Sequence, residues 1–144
     1  MKETKFRVWD SKEKKMFYFD YYDLIDAIGN DQCDRRLYRL SETHQHDRSD
    51  DIVMQFTGMQ DKNNVDIFHK DICKIHTEEY YSNESISLED GESLIGKICF
   101  HDGCFWLSSK DNTQIALPEI IYNEIKIEVL GSIYENSELL KEHK

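Results

Sequence analysis

The sequence predicts a strand-dominated α+β protein, and three observations predict it. Several short segments alternate polar and apolar residues, which is the period of a half-buried strand. One segment near the N-terminus changes to the period of a helix. Asp102-Gly103 has the composition of a two-residue hairpin turn of type I′. With 144 residues, the chain has the size of one domain or two very small ones, and it is long enough to bury a core without disulfides or metal.

The first elements are a predicted hairpin and a predicted helix. Residues 4–9 and 15–19 alternate as strands, and the polar residues between them suit a hairpin loop. From residue 21 to 28 the apolar side chains recur at i, i+3, i+4 and i+7, which predicts one buried helix face. Asp20 is placed to cap this helix, and Gly29 stands where a left-handed residue ends one.

A polar stretch at residues 41–51 predicts a linker or exposed loop. We therefore divide the chain into an N-terminal portion, residues 1–51, and a C-terminal portion, residues 52–144. In the second portion, alternation predicts strands at residues 52–56, 72–76 and 125–129. A short terminal helix is predicted at residues 137–142 with Asn136 as its cap, and Pro118 is predicted to mark a sheet edge or a turn.

The hairpin at Asp102-Gly103 predicts a definite register. A two-residue turn pairs His101 with Cys104, and the alternation then assigns each neighbour to one face. We expect one face to lie in the core, and it carries Ile98, Phe100, Phe105 and Leu107. The opposite face carries Cys99, His101, Cys104 and Trp106.

Composition and charge narrow the possible functions. Seventeen aromatic residues (seven Phe, eight Tyr, two Trp) argue against a disordered chain. No apolar run approaches the roughly 18 residues that span a bilayer, and the charged N-terminus lacks the apolar core of a secretory signal. Four cysteines without a signal predict free thiols in a reducing cytosol. The net charge of -11 disfavours nucleic-acid binding, which needs cations to neutralise phosphates, and favours a partner with a basic surface.

The acidic segment, residues 78–92, contains six acidic residues and no Lys or Arg. We expect it to be a long acidic loop and to be the partner-binding surface, with two tyrosines as anchors. The alternative is a loop that only keeps the protein soluble, which is the more common role of a charge run. The residues proposed for the partner are Glu78, Glu79, Tyr80, Tyr81, Glu84, Glu89, Asp90 and Glu92.

Cysteine and histidine residues offer a possible zinc site. Zinc takes Cys and His ligands in tetrahedral sets, with ligand pairs two to four residues apart. No C-x-x-C pair is present, and cysteines are often only small buried hydrophobic residues, so we expect no structural zinc and no cofactor. The candidate ligands are Cys73, His76, Cys99, His101 and Cys104.

Catalytic machinery is not recognisable in the sequence. Cysteine, histidine and aspartate occur together at residues 99–104, but a hairpin tip offers no exclusion of water and no oxyanion hole. Neither of the glycine-rich phosphate-binding motifs is present. We therefore expect the protein not to be an enzyme.

Three motifs in order resemble the YopX family of small proteins of bacteria and their phages. The opening hairpin is similar at Lys5-Phe6-Arg7-Val8-Trp9-Asp10 and Lys14-Lys15-Met16, and the central strand and turn at Met54-Gln55-Phe56-Thr57-Gly58-Met59-Gln60-Asp61-Lys62-Asn63. The C-terminal signature is similar at Val129-Leu130-Gly131-Ser132-Ile133-Tyr134-Glu135-Asn136-Ser137-Glu138-Leu139-Leu140. The chain departs from the family pattern where Asn64 and Lys70 replace glycines and Ser137 replaces a proline. Asn64 tolerates left-handed geometry, so we expect its turn to persist.

The resemblance implies an SH3-like β-barrel in residues 52–144 and a smaller α+β portion before it, and it implies no activity. Our first functional hypothesis is a non-enzymatic protein-interaction module of phage or prophage origin in the cytoplasm of a bacterial host. The alternatives are a nucleic-acid-associated small barrel, which the net charge disfavours, and a metal-dependent or hydrolytic enzyme, which lacks a motif. Exposed sheet edges of a small barrel also predict a homo-oligomer.

Overall fold

The structure is a computed structural model, and it describes residues 5–11, 13–20, 22–23, 51–82, 87–111 and 113–142. The chain divides into two compact units, Met1–Gly58 and Met59–Lys144. The boundary that the sequence predicts, between residues 51 and 52, stays a prediction.

Strands dominate the described parts of both units, as the sequence predicts. The strands are β1 Lys5–Asp10, β2 Lys15–Asp20, β3 Asp51–Gln60, β4 Asp66–Phe68, β5 Asp71–His76, β6 Tyr81–Ser82, β7 Ser87–Leu88, β8 Ser93–His101, β9 Cys104–Ser109, β10 Gln114–Ala116 and β11 Lys126–Ser132. The helices are α1 Leu117–Tyr122 and α2 Glu138–Glu142. Among the described residues, no helix is both long enough and apolar enough to cross a membrane.

The first unit is built on an antiparallel hairpin of β1 and β2, which confirms the prediction for the opening residues. β1 also pairs antiparallel with β3, so it lies between the two other strands. The pairing buries Val8, Trp9, Phe19 and Met54.

The start of the first predicted helix is capped by Asp20. The Asp20 carboxylate accepts the Asp23 N–H at 2.8 Å, and the Asp23 carboxylate accepts the Asp20 N–H at 3.0 Å. This reciprocal pair is a capping box, and it satisfies two backbone donors at the helix start. Tyr22 and Asp23 are helical. The rest of the predicted helix, Gly29 and the predicted linker lie outside the described residues, apart from Asp51.

The second unit contains a five-stranded antiparallel sheet in the order β10-β9-β8-β5-β11, curled into a half-barrel. Its strands bury one face because their apolar residues alternate with polar ones. Gly96 allows β8 and β9 to approach closely, since a Cβ at this position would lie 2.5 Å from the Ser108 carbonyl oxygen. The buried cluster consists of Ile67, Cys73, Ile75, Leu88, Ile98, Leu107, Ile115, Leu117, Ile120, Ile125 and Ile127.

The hairpin of β8 and β9 has the predicted turn and register. Asp102 and Gly103 have φ values of 52° and 72°, as a type I′ turn requires, and the cross-strand pairs are those that the turn predicts. The core assignment is right for Ile98 and Leu107, which are fully buried, and wrong for Phe100, which is 53% exposed. In the second pair from the tip, Phe100 extends beyond the core, whereas Phe105 packs against it. The Phe100 ring packs at 4.9 Å against Phe105, which is itself half-buried.

The short helix α1 is absent from the sequence prediction. Pro118 lies in its first turn rather than at a sheet edge, since proline suits a position whose N–H has no helical partner. The helix buries Leu117 and Ile120, so it closes one side of the core.

Asn64 and Lys70 are among the residues other than glycine that have left-handed geometry in the second unit. Asn64 has a φ of 63°, which confirms that its turn persists. Lys70 has a φ of 74°, and its backbone is held on both sides. The Lys70 N–H donates to the Ile98 carbonyl oxygen at 2.9 Å, and its own carbonyl accepts the Ile133 N–H at 3.0 Å. The turn therefore survives the replacement of glycine, with a side chain in a strained position.

The C-terminal signature forms a compact turn after β11. The Asn136 side chain accepts the Ser132 N–H at 3.3 Å, which supports the turn, and α2 begins two residues later. Gly131 makes room for this side chain, because a Cβ there would lie 2.0 Å from the Asn136 Oδ1 atom.

Candidate partner-binding surface

The acidic segment is folded onto the second unit. Tyr81 pairs with Leu88 and Ser82 with Ser87, which makes a short antiparallel hairpin of β6 and β7. Leu88 is only 2% exposed and belongs to the core cluster. The prediction of a plain loop is wrong for this reason: one apolar residue among the acids anchors the segment. Residues 83–86, which include Glu84, lie outside the described residues.

The two ends of the acidic segment are tied together. The Gly91 N–H donates to the Thr77 carbonyl oxygen at 2.8 Å, and the Thr77 N–H donates to the Glu92 carbonyl oxygen at 3.3 Å. The Glu92 carboxylate also accepts the Glu89 N–H at 2.8 Å. Gly91 has a φ of 76°, a left-handed geometry that favours glycine. These bonds close the base of the segment, so its exposed side chains stand on a defined backbone.

The two predicted tyrosine anchors have different environments. The Tyr81 hydroxyl donates to the Glu119 carboxylate at 2.5 Å, so its half-buried ring is held against α1. Tyr80 is 58% exposed. Hydrogen bonds with Ser82 and Ser87 lower the pKa of the Tyr80 hydroxyl. Only Tyr80 therefore presents most of its side chain to a partner.

Most of the predicted acidic residues remain on the surface. Glu79, Glu89, Asp90 and Glu92 are exposed. Glu78 is exposed too, but its carboxylate accepts a hydrogen bond from the Lys126 ammonium at 2.6 Å. That hydrogen bond, together with the positive charge of Lys126, lowers the pKa of Glu78. A base that is distant in the sequence thus offsets part of the negative charge.

A polar cleft of about 320 Å³ adjoins the acidic segment. Carboxylates outnumber cations in its lining, so a cationic side chain of a partner would be attracted to it. Its ionisable lining residues are His76, Glu78, Glu79, Glu124 and Lys126.

The candidate zinc ligands do not converge. Cys73 lies in the buried core, opposite Gly96 on β8, whereas Cys99 lies on the other face of that strand. His76 lies opposite Ser93, six residues along β8 from Cys99, which is about 20 Å at the rise of a strand. No group of three or more Cys, His, Asp or Glu residues within the described ranges could hold a metal ion.

His101 is held by polar contacts on both ring nitrogens. Its Nδ1 atom lies 3.1 Å from the Asp102 carboxylate, and its Nε2 atom lies 2.9 Å from the Gln114 side-chain oxygen. Its ring stacks on Trp106 with centroids 4.9 Å apart and an interplanar angle of 3°. The Cys104 thiol is directed to a backbone carbonyl, that of Phe105, at 3.3 Å. Both ring nitrogens therefore face oxygen atoms rather than a thiol that they would activate as a nucleophile.

Two residues that shape the surface escaped the sequence analysis. Lys126 offsets the charge of Glu78, and Glu119 holds Tyr81. The alternation at residues 125–129 places Lys126 on a solvent-facing position, but it does not show which strand lies beside it. Glu119 lies in α1, and the sequence did not predict this helix, so no pattern indicated that Glu119 would hold Tyr81.

Comparison with known proteins gives one family and similar solved structures. The family model described as YopX protein matches residues 5–141. Comparison with curated proteins finds no match. The crystal structure of protein YopX from Bacillus subtilis has a TM-score of 0.54 at 20% identity, and the alignment covers 99% of this chain and 99% of that one. The crystal structure of protein EF1440 from Enterococcus faecalis has a TM-score of 0.52 at 22% identity, covering 97% of this chain and 99% of that one.

At these identities the likeness to solved structures shows the fold alone. The family match extends over nearly the whole chain. It includes the hairpin, the central turn and the C-terminal signature, which are the three motifs that carry the resemblance in the sequence. The chain therefore belongs to the YopX family.

Proposed function

We propose that the protein is a non-enzymatic protein-interaction module whose acidic segment binds a basic surface of a partner protein. One observation supports this most: the segment is anchored through Leu88 and Tyr81 and tied at its base, yet it leaves Tyr80 and several carboxylates exposed. A loop that serves only solubility needs no such anchoring. Tyrosine is also enriched among the residues that contribute most to binding energy, and here it lies beside charged residues.

The anchoring matters energetically because binding loses less conformational entropy when a loop is already ordered. The negative charge of the whole chain steers a basic partner toward this face and raises the rate of association. Screening by salt shortens the range of such attraction to about 8 Å at physiological ionic strength. Binding is therefore expected to weaken as salt rises.

The test is quantitative affinity purification from a bacterial lysate with three forms of the protein. The first is the wild type. The second carries Glu79→Gln, Glu89→Gln and Asp90→Asn, three exposed carboxylates in the acidic segment. The third is a control with the same change of charge at Glu13→Gln, Asp102→Asn and Glu138→Gln, which are exposed elsewhere.

We expect the wild type and the control to retain the same partner, and the acidic-segment variant to lose it. The retained partner should elute at moderate salt. An unchanged partner set for the acidic-segment variant would show that the segment is not the binding surface.

We further propose that residues 52–144 form an SH3-like barrel and residues 1–51 a separate, smaller α+β portion. The strand order supports this: β5, β8, β9 and β10 follow one another as a meander, the short helix α1 follows, and β11 returns to pair with β5. A helical turn before a fifth strand that pairs with the first is the arrangement of SH3-like barrels. Independent folding of residues 52–144, measured by circular dichroism and thermal unfolding, tests the division.

The remaining proposals concern the setting of the module. We place it in the cytoplasm of a bacterial host, encoded by a phage or prophage, without a cofactor and as a homo-oligomer. Sedimentation that shows only a 17.2 kDa species at high concentration would contradict self-association. Fluorescence polarisation with duplex and single-stranded oligonucleotides at low salt tests the nucleic-acid alternative, and metal analysis of the purified protein tests the enzymatic one.

A further inference from the structure

A basic cleft lies on the solvent-facing side of β5 and β11. In the antiparallel register, Lys74 stands opposite Glu128 and His76 stands opposite Lys126. The alternate residues of the same strands, Ile75 and Ile127, are buried in the core. The cleft is lined by Lys62, Lys74, His76, Lys126, Ile127 and Glu128. Three ammonium groups and an imidazole therefore surround one space on a protein whose net charge is -11.

The third lysine is brought to the cleft by a rigid turn. The buried Asp61 carboxylate accepts the Val129 N–H of β11 at 2.9 Å, and it accepts the N–H groups of Asn63 and Val65 at 2.8 and 2.9 Å. The Lys62 N–H donates to the Ile127 carbonyl oxygen at 2.9 Å. These bonds fasten the turn to β11, so Lys62 is held at the edge of the sheet.

The positive charges are only partly compensated. The Lys62 ammonium lies 4.0 Å from the Glu128 carboxylate, which is a weak contact, and Lys126 is paired with Glu78 at 2.6 Å. Among the described residues, no carboxylate lies within 4.0 Å of the Lys74 ammonium. Lys74 faces Glu128, but Lys74 and Lys126 lie on diagonal positions about 7–8 Å apart, where the repulsion of their charges costs stability. An anion in the cleft would remove this cost.

The cleft has room for a small anion. Its volume of about 190 Å³ equals the share of about six water molecules in the liquid. Lysines bind phosphate as point charges, and the half-buried position of Lys74 strengthens its attraction, whereas Lys62 and Lys126 are exposed. The Ser93 hydroxyl lies 3.0 Å from the His76 Nδ1 atom and fixes the ring. A long polyanion is disfavoured, because Glu78, Glu128 and the overall negative charge repel it.

We propose that this cleft binds the phosphate group of a small phosphate-bearing molecule, held by Lys62, Lys74 and Lys126. The site shares His76 and Lys126 with the polar cleft beside the acidic segment, but Lys62 and Lys74 lie outside that cleft. Binding of phosphate and binding of a basic protein are therefore separate properties, and either can fail without the other.

The test is a titration of the full-length protein with inorganic phosphate at constant ionic strength, followed by backbone amide NMR shifts. We expect saturable shifts that centre on Lys74, His76, Lys126 and Ile127, with no equivalent response to chloride. Lys74→Gln should weaken the phosphate affinity about tenfold or more. Lys110→Gln is the control, because Lys110 is exposed in the β9–β10 turn and lines no part of the cleft.

The two variants keep the result interpretable. Lys74 forms no ion pair with a described residue, so its replacement should leave the fold intact, which the NMR spectrum itself shows. Shifts without saturation, or an equal loss of affinity in both variants, would show general screening of surface charge and would overturn the proposal. An unchanged affinity in Lys74→Gln would overturn it as well.

Discussion

Removal of the Asp61 side chain is expected to destabilise the second unit, because one carboxylate holds three backbone N–H groups. The donors belong to Asn63, Val65 and Val129, at 2.8 to 2.9 Å, and Asp61 is only 6% exposed. In Asp61→Ala, water can reach the exposed turn residues, which limits the loss there to about 0.5–1 kcal/mol for each bond. The half-buried Val129 N–H loses its acceptor at about 1–3 kcal/mol. The sum is about 2–5 kcal/mol.

Urea unfolding followed by circular dichroism measures this loss, since the midpoint falls at constant slope when stability alone changes. Hydrogen exchange of the Val129 amide adds a local readout, and it should accelerate in Asp61→Ala beyond the change in global stability. Asp61→Asn keeps one side-chain oxygen and should cost less than Asp61→Ala. Asp90→Ala, at an exposed position, should stay within about 0.5 kcal/mol of the wild type. If Asp61→Ala unfolds at the same midpoint as Asp90→Ala, the carboxylate does not hold the turn.

Three further predictions concern single positions. Lys70→Gly should stabilise the protein by about 0.5–1 kcal/mol, because relief of left-handed strain, about 1–2 kcal/mol, exceeds the entropy cost of glycine; urea unfolding that shows a loss would refute this. Phe100→Ala should cost about 1 kcal/mol rather than the roughly 3–5 of a buried Phe, since half of its side chain is exposed, and a larger loss would place it in the core. Hydrogen bonds from Ser109 and Thr113 lower the pKa of Asp111 from 3.8 to about 2, so its stabilising contribution is present above pH 3.8 and is lost as the pH falls toward 2. Asp111→Asn should flatten that part of the stability curve in acid unfolding; an unchanged curve would contradict it.

Local patterns in the sequence predicted local structure well. The pair Asp102-Gly103 determines both the turn and the register of β8 and β9, because only residues that tolerate positive φ fit it. Alternation likewise located β1, β2, β3, β5 and β11. The same alternation wrongly predicted that Phe100 is buried. The strand continues beyond the core, and alternation alone does not show where the core ends.

Contacts between segments that are distant in the sequence were the main feature that the sequence did not predict. Leu88 is one apolar residue among acids, and its burial depends on a core supplied by other strands. The pairs Glu78–Lys126 and Asp61–Val129 join positions 48 and 68 residues apart, and they require the pairing of β5 with β11. That pairing also brings the lysines of the basic cleft together. Each strand alone shows only an alternation of polar and apolar residues, which does not indicate the cleft.

The most direct measurement of the central claim is site-specific photo-crosslinking in bacterial cells. A photoreactive phenylalanine analogue replaces Tyr80, which is 58% exposed in the acidic segment, or Tyr18, which is 56% exposed in the first unit and serves as a matched control. We expect a crosslinked partner protein from position 80 and not from position 18. We also expect the yield from position 80 to fall when Glu79, Glu89 and Asp90 are neutralised. Equal crosslinking from both positions, or a yield that is unchanged by neutralisation, would contradict the claim that the acidic segment is the binding surface.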